Sequence, residues 1–253
     1  MQHPGTVSAH PPGSLLSAYQ PEVTSYDEMV DASGRLRPAW TRFAQSWDGL
    51  GPARLSQRNL QAQRLFRENG VTYNVYGASS ELERPWELDP LPLLFPVAEW
   101  SRLSEGIEQR ARLLNAIMAD VYGHQRAFQN GILPAAVLFQ SHGFLLPCHG
   151  IQPTGNVFLH WYGVQLTRRI DGSWQVVSDR TQGPSGAGYA VENRIVVSRT
   201  WPQDFEDLNV IRLASFYMSW RETLKALSPR HGDSPRAVLL SPGSRSPRYF
   251  EDV

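Results

Sequence analysis

Lysine and cysteine are almost absent from these 253 residues: Lys225 is the only lysine and Cys148 the only cysteine. A single cysteine excludes any intrachain disulfide and any thiolate metal cluster, and it suits a reducing compartment. With lysine so rare, nearly every cation is an arginine, a bias in keeping with a GC-rich genome. A phosphate-gripping lysine of the P-loop kind is therefore not expected within these residues. There is no excess charge either, with 24 basic against 24 acidic residues. That balance argues against nucleic acid or an anionic membrane surface as the main partner. No run approaches the ~20 apolar residues that a membrane span needs. The opening stretch MQHPGTVSAHPPGSLL lacks the basic-then-apolar order of a secretory signal, so the expected location is cytoplasmic.

What is present is enough apolar sequence for one large or two smaller domains, at 41% hydrophobic residues and 19% charged. Residues 1–25, rich in Pro, Gly, Ser and His, read as a tail without hydrophobic period. Residues 26–134 read as mainly helical. Pro38 opens a helix through Trp40, Phe43 and Trp47 toward Gly49, and a second helix runs from Leu55 to Asn69 with Gly70 as its cap. VTYNVYG then reads as a short strand, and the proline-rich stretch Pro85–Pro96 as an extended connection. Trp100, Leu103, Ile107, Leu114, Ile117, Met118 and Val121 recur at helical spacing up to Gly123.

Between 135 and 200 the period turns toward two. VLFQ, FLLP, NVFLHWYGVQL, WQVVS and YAVENRIVVSRT all read as strands of a mostly antiparallel sheet that carries a glycine loop over 183–188. Trp161-Tyr162 reads as core of that sheet. Residues 201–253 bring back helical period between Asp204 and Leu227. A short buried strand, Ala237–Leu240, follows and reads as the first strand of a parallel α/β layer.

The chemistry concentrates in SDRTQGPSGAGYAVENR, Ser178–Arg194. Glycines let the backbone approach a ligand closely and gather N–H groups toward an anion. Ser185 and Thr181 add hydroxyls, Asp179 offers a hard oxygen ligand for Mg²⁺, and the arginines can grip carboxylate or phosphate bidentately. The plain alternative is a hairpin whose glycines serve only its turn and whose Asp–Arg pair is a surface salt bridge. Against it stand the number of polar residues, more than two core strands need, and a loop longer than the commonest hairpin turns. Cys148-His149 is better read as a structural turn than as a nucleophile–base pair, because neighbours in extended chain point to opposite faces. His142, His149 and His160 show no zinc-type spacing.

DRTQGPSGAGYAVENR closely resembles the signature of the circularly permuted ATP-grasp family of bacterial proteins. The likeness extends through YDEM, GVTYNVYG, PW.LDP.P, G..QRARLLNAI..D.YG and FL.PCHG. The resemblance implies the N-terminal part of a permuted ATP-grasp fold, helices packed on a mostly antiparallel sheet. It also implies a ligase that uses Mg-ATP to activate a small-molecule or peptide carboxylate as an acylphosphate for attack by an amine. By similarity, Asp179 falls to Mg²⁺, with Arg180, Thr181, Ser185 and Gly186 near the acyl substrate and Arg194 available to a carboxylate or phosphate. Within the signature only Gly183 and Val191 depart from the family pattern, both mildly; of more consequence, Gln165 stands where it has an aspartate, and Ser244–Arg248 replaces its Pro-x-Asn-Glu-Thr turn. Most ATP-binding residues are expected beyond Val253, which would leave this portion inactive alone. The other reading is a non-catalytic module that binds a substrate or partner.

Overall fold

The computed structural model describes residues 19–22, 24–73, 84–228, 235–240 and 243. The chain forms two compact units, each assembled from separate stretches. The first comprises residues 1–95, 170–172 and 185–253, the second residues 96–169 and 173–184.

The first unit is built on α1 (Pro38–Glu68), a helix broken at Gly51, whose φ of 72° and ψ of 162° are not helical. Pro52 restarts it, since a proline has no N–H to leave unpaired in a first turn. The two halves are those expected from the sequence. The first buries Trp40, Phe43 and Ala44, and the second buries Ala62 and Phe66, each set on one helical face. At its end Gly70 turns left-handed, and the Val71 N–H reaches the Phe66 carbonyl at 3.0 Å, the hydrogen bond of a Schellman cap.

Two apolar clusters follow. Met29, Val30, Trp40 and Phe43 form one. Ala62, Phe66, Val71, Tyr189, Val196 and Trp201 form the other, with Trp86 and Leu88 packed against it. Fully buried Phe66, Val71 and Val196 each contribute roughly 1.5–3 kcal/mol by leaving water. The strands β1 (Thr72–Tyr73) and β2 (Arg84–Pro85) pair antiparallel beside this second cluster. Most of VTYNVYG lies outside the described residues.

The largest correction concerns residues 187–200, expected as a strand. They form an α-helix, α5 (Ala187–Thr200). Val191, Ile195, Val196 and Val197 favour strands locally, but the buried residues are Tyr189, Val196 and Thr200, spaced seven and four apart. Burial on a helical stripe overrides the β-branched propensity. Next come α6 (Pro202–Asp207) and α7 (Ala214–Ala226), separated where Asn209 takes a positive φ of 49°. Ala237–Leu240 is not the buried strand expected. It is in no regular element, and Val238, Leu239 and Leu240 are exposed, since no strand pairs with it among the described residues. The Ser244–Arg248 turn lies outside the described residues.

The second unit rests on α2 (Val97–Val121), the amphipathic helix expected from its period. The sheet over 135–200 reduces, among the described residues, to one antiparallel ribbon, β3 (Gly163–Arg168) and β4 (Trp174–Arg180). VLFQ and FLLP are not strands. The short helices α3 (Arg126–Gln129) and α4 (Ala135–Phe139) precede a 3₁₀ turn at Leu146–Cys148, and the Pro134-Ala-Ala start favours a helical turn. Cys148 thus sits in a turn, as expected.

Side chains of α2 hold its neighbours. Glu99 accepts hydrogen bonds from Arg168 and from the Trp174 indole, while the Arg168 guanidinium stacks 4.3 Å over the Trp174 ring. The Asn115 side-chain oxygen accepts from the backbone N–H groups of Phe158 (2.8 Å) and Leu159 (3.1 Å). No helix among the described residues is long and apolar enough to cross a membrane.

Candidate functional site

The ribbon explains how Asp179 is displayed. Val164 faces Asp179 and Gly163 faces Arg180 across the two strands. Side chains alternate along a strand, so Asp179 and Arg180 point to opposite faces of the ribbon. Gly163 lets the strand end close up, because a Cβ there would lie 2.8 Å from the Pro184 Cβ and 3.5 Å from the Arg180 Cβ.

On its own face Asp179 meets two residues that were not among the candidate site residues. Arg110 of α2 grips it with both arms of the fork, Nε to Oδ1 and Nη2 to Oδ2, each at 2.7 Å. The Tyr162 hydroxyl donates to Oδ1 at 2.5 Å. Tyr162 is therefore not simply sheet core: its ring is part-buried and its hydroxyl serves Asp179. The sequence carried a trace of Arg110, within QRARLL on the polar side of a helix. It gave no sign of which strand that arginine would reach, since 69 positions separate the pair.

The electrostatics follow from these contacts. Arg110, then Tyr162, holds the Asp179 carboxyl down at about 2, with partial burial opposing. Burial, then the neighbouring Asp179 carboxylate, pushes the Tyr162 hydroxyl up to about 12. The Arg110 guanidinium is raised further above its usual value, chiefly by its bonds to Asp179. Near neutral pH the trio is thus a fixed carboxylate, a fixed guanidinium and a protonated phenol. A carboxylate so acidic is a poor general base, and a phenol so basic is a poor general acid. The group suits binding and orientation.

As a magnesium site the arrangement does not fit. Both Asp179 oxygens accept from a guanidinium, and no three His, Cys, Asp or Glu side chains gather into a possible metal site among the described residues. A hard divalent cation needs several oxygen ligands.

The remaining candidates belong to two groups. Arg180 and Thr181, both exposed, lie with Asp179 in the second unit. Ser185, Gly186 and Arg194 lie in the first. Gly186, at a φ of 119°, is the residue from which α5 starts, so the glycine loop leads into a helix N-terminus and not into a second strand. Arg194 lies eight residues further on, roughly 12 Å along the helix axis. Its guanidinium is half-buried, and burial lowers its pKa. It has no hydrogen-bond or ion-pair partner among the described residues.

Two other polar residues of the signature do structural work. The Asn193 side-chain oxygen accepts from the Trp86 indole at 2.7 Å, and Glu192 accepts from the side-chain amide of Asn69, which caps α1. Trp86 in turn stacks on Tyr189 with ring centroids 4.3 Å apart.

Residues 92–253 match the family model described as circularly permuted ATP-grasp type 2. An uncharacterized protein of Synechocystis sp. is 36% identical over 236 residues, covering 93% of this chain and 49% of the relative. Two uncharacterized proteins of Mycobacterium tuberculosis are 38% identical over 236 residues and 30% identical over 230. Each alignment covers 90% of this chain, and they cover 27% and 40% of those relatives. The chain therefore spans about half, or less, of the length of the curated relatives it matches.

Proposed function

The chain belongs to the circularly permuted ATP-grasp type 2 family, and from that membership we propose that it supplies part of an ATP-dependent carboxylate–amine ligase. The observation that carries this reading is the nearly intact signature Asp179–Arg194, which lies inside the matched span 92–253. In a reaction of this class a substrate carboxylate oxygen bonds to the γ-phosphorus of ATP and ADP departs. The amine nitrogen then bonds to the acyl carbon, phosphate departs, the nitrogen loses a proton, and an amide remains. Magnesium, when bound, supplies neutralisation of the phosphate oxygens.

The contribution of these residues is binding and orientation. Arg180 and Thr181 offer an exposed guanidinium and hydroxyl to an acyl substrate. Ser185 and Gly186 stand at the start of α5, where the helix dipole favours negative charge. Arg194, half-buried and lacking an acceptor among the described residues, suits a carboxylate or phosphate. Asp179 is the metal-side carboxylate of this proposal, available only once Arg110 gives it up. The substrates are a small-molecule or peptide carboxylate and an amine; neither nucleic acid nor a membrane has a part. The reaction is placed in the cytoplasm.

The test is ATP turnover by the full-length protein in the presence of carboxylate and amine mixtures, read as ADP release. Asp179→Asn is expected to lower turnover by about 100-fold with the fold intact. Retained turnover removes Asp179 from the site.

A second reading, a non-catalytic binding module, is favoured by one observation. Lys225, the only lysine, lies on α7 and is ion-paired with Glu222 at 3.0 Å. On either reading residues 1–253 alone bind Mg-ATP weakly or not at all by calorimetry. Micromolar affinity would place the nucleotide site within them.

A further inference from the structure

Asp179 is the acidic residue of the signature that is gripped by a guanidinium. Its carboxylate has two oxygens, and Arg110 donates to both, at 2.7 Å each. Tyr162 supplies a third contact to Oδ1. A bidentate guanidinium satisfies a carboxylate in charge and in geometry. A second cation brought to the same oxygens would have to break two charge-assisted hydrogen bonds and then sit a few ångströms from the displaced positive charge. Neither the Arg110 nor the Asp179 side chain is deeply buried, at 43% and 25% exposure, so removing the guanidinium would leave the carboxylate open to solvent.

We infer that Arg110 holds the place of a divalent cation at Asp179, keeping the carboxylate ion-paired and closed to free metal until the guanidinium is removed. The inference takes only the choice of ion from the ligase reading. The contacts themselves belong to this chain. Arg110 is on this view a positioning residue: it acts through Asp179 and sets when that carboxylate is available.

Terbium(III), a hard oxygen-seeking cation, is the probe, because a tyrosine bonded to its ligand sensitises its luminescence and Tyr162 is so placed. Wild-type chain and Asp179→Asn are expected to give the same emission on titration. Arg110→Gln is expected to bind the ion more tightly, on the order of tenfold, since a positive charge a few ångströms away has gone. Arg110→Gln combined with Asp179→Asn is expected to lose that gain. Arg110→Lys, which keeps the charge, is expected to behave as wild type.

The inference is overturned if wild type binds terbium in an Asp179-dependent way, or if folded Arg110→Gln titrates like wild type. The comparison of wild type with Asp179→Asn needs no change at residue 110, so it decides the matter even if Arg110→Gln unfolds. Failure here leaves ATP turnover by the full-length protein untouched. Absence of that turnover leaves the terbium result standing.

Discussion

Arg110 in the middle of α2 and Asp179 near the end of β4 form a two-pronged ion pair, 2.7 Å on each arm, that ties a helix to a strand 69 residues away. The carboxyl is held at about 2 in the folded chain, against about 3.9 when unfolded. A depressed carboxyl stabilises the fold above its unfolded value and loses that contribution as pH falls through the folded one. The expected outcome is a stability loss concentrated between about pH 4 and pH 2. Urea titrations at a series of pH values should show this step in wild type and a smaller one in Arg110→Gln. Equal steps would mean that the pair does not form in solution.

Tyr162 gives the complementary test at high pH. Its hydroxyl titrates near 12 in the folded chain, against about 10 when unfolded. A raised group stabilises below its unfolded value, so this contribution disappears as pH climbs from about 10 to 12. Tyr162→Phe should abolish that loss. It should also let the Asp179 carboxyl rise, because one of the two hydrogen bonds holding it down is gone. Carboxyl carbon chemical shifts of Asp179 followed against pH read both effects, and an unchanged Asp179 titration would sink the assignment.

Gly163 sits opposite Arg180 and has no room for a side chain. An added methyl would lie 2.8 Å from the Pro184 Cβ and 3.5 Å from the Arg180 Cβ. The Arg180 distance is ordinary contact, but the Pro184 Cβ cannot swing away, since it is a ring carbon fixed to backbone. Gly163→Ala is expected to destabilise the chain by about 1–3 kcal/mol, the range for overpacking. A denaturant midpoint within error of wild type would refute this. Amide exchange should localise the loosening to the end of β4, which carries Asp179.

The sequence made some of this legible and hid the rest for identifiable reasons. The division of α1 into two halves, the Gly70 cap and the length of α2 are local features, written in residues a few positions apart. The nature of Ser178–Arg194 as a polar, glycine-rich hot spot was visible too. Its shape was not. Five β-branched residues in α5 suggested a strand, and only the burial of Tyr189, Val196 and Thr200 on one stripe shows the helix. Arg110 and Tyr162 were equally hidden, because an arginine on a charged helix face or a tyrosine after a tryptophan carries no mark of its distant partner. The two compact units are also assembled from non-contiguous stretches, which shifts in composition along the chain do not reveal.

Asn193 separates structure from function within the signature. Its side-chain oxygen takes the Trp86 indole N–H at 2.7 Å, and that indole stacks on Tyr189, itself 4% exposed in the core. Asn193→Ala removes the acceptor and leaves a part-buried donor unpaired, at a cost of about 1–3 kcal/mol. Asn193→Asp keeps an acceptor and should recover most of that loss. If Asn193 serves the fold alone, thermal stability falls in the alanine variant while the terbium behaviour of Asp179 and Arg110 stays as in wild type. A stable alanine variant would show that the Trp86 hydrogen bond is incidental to the fold.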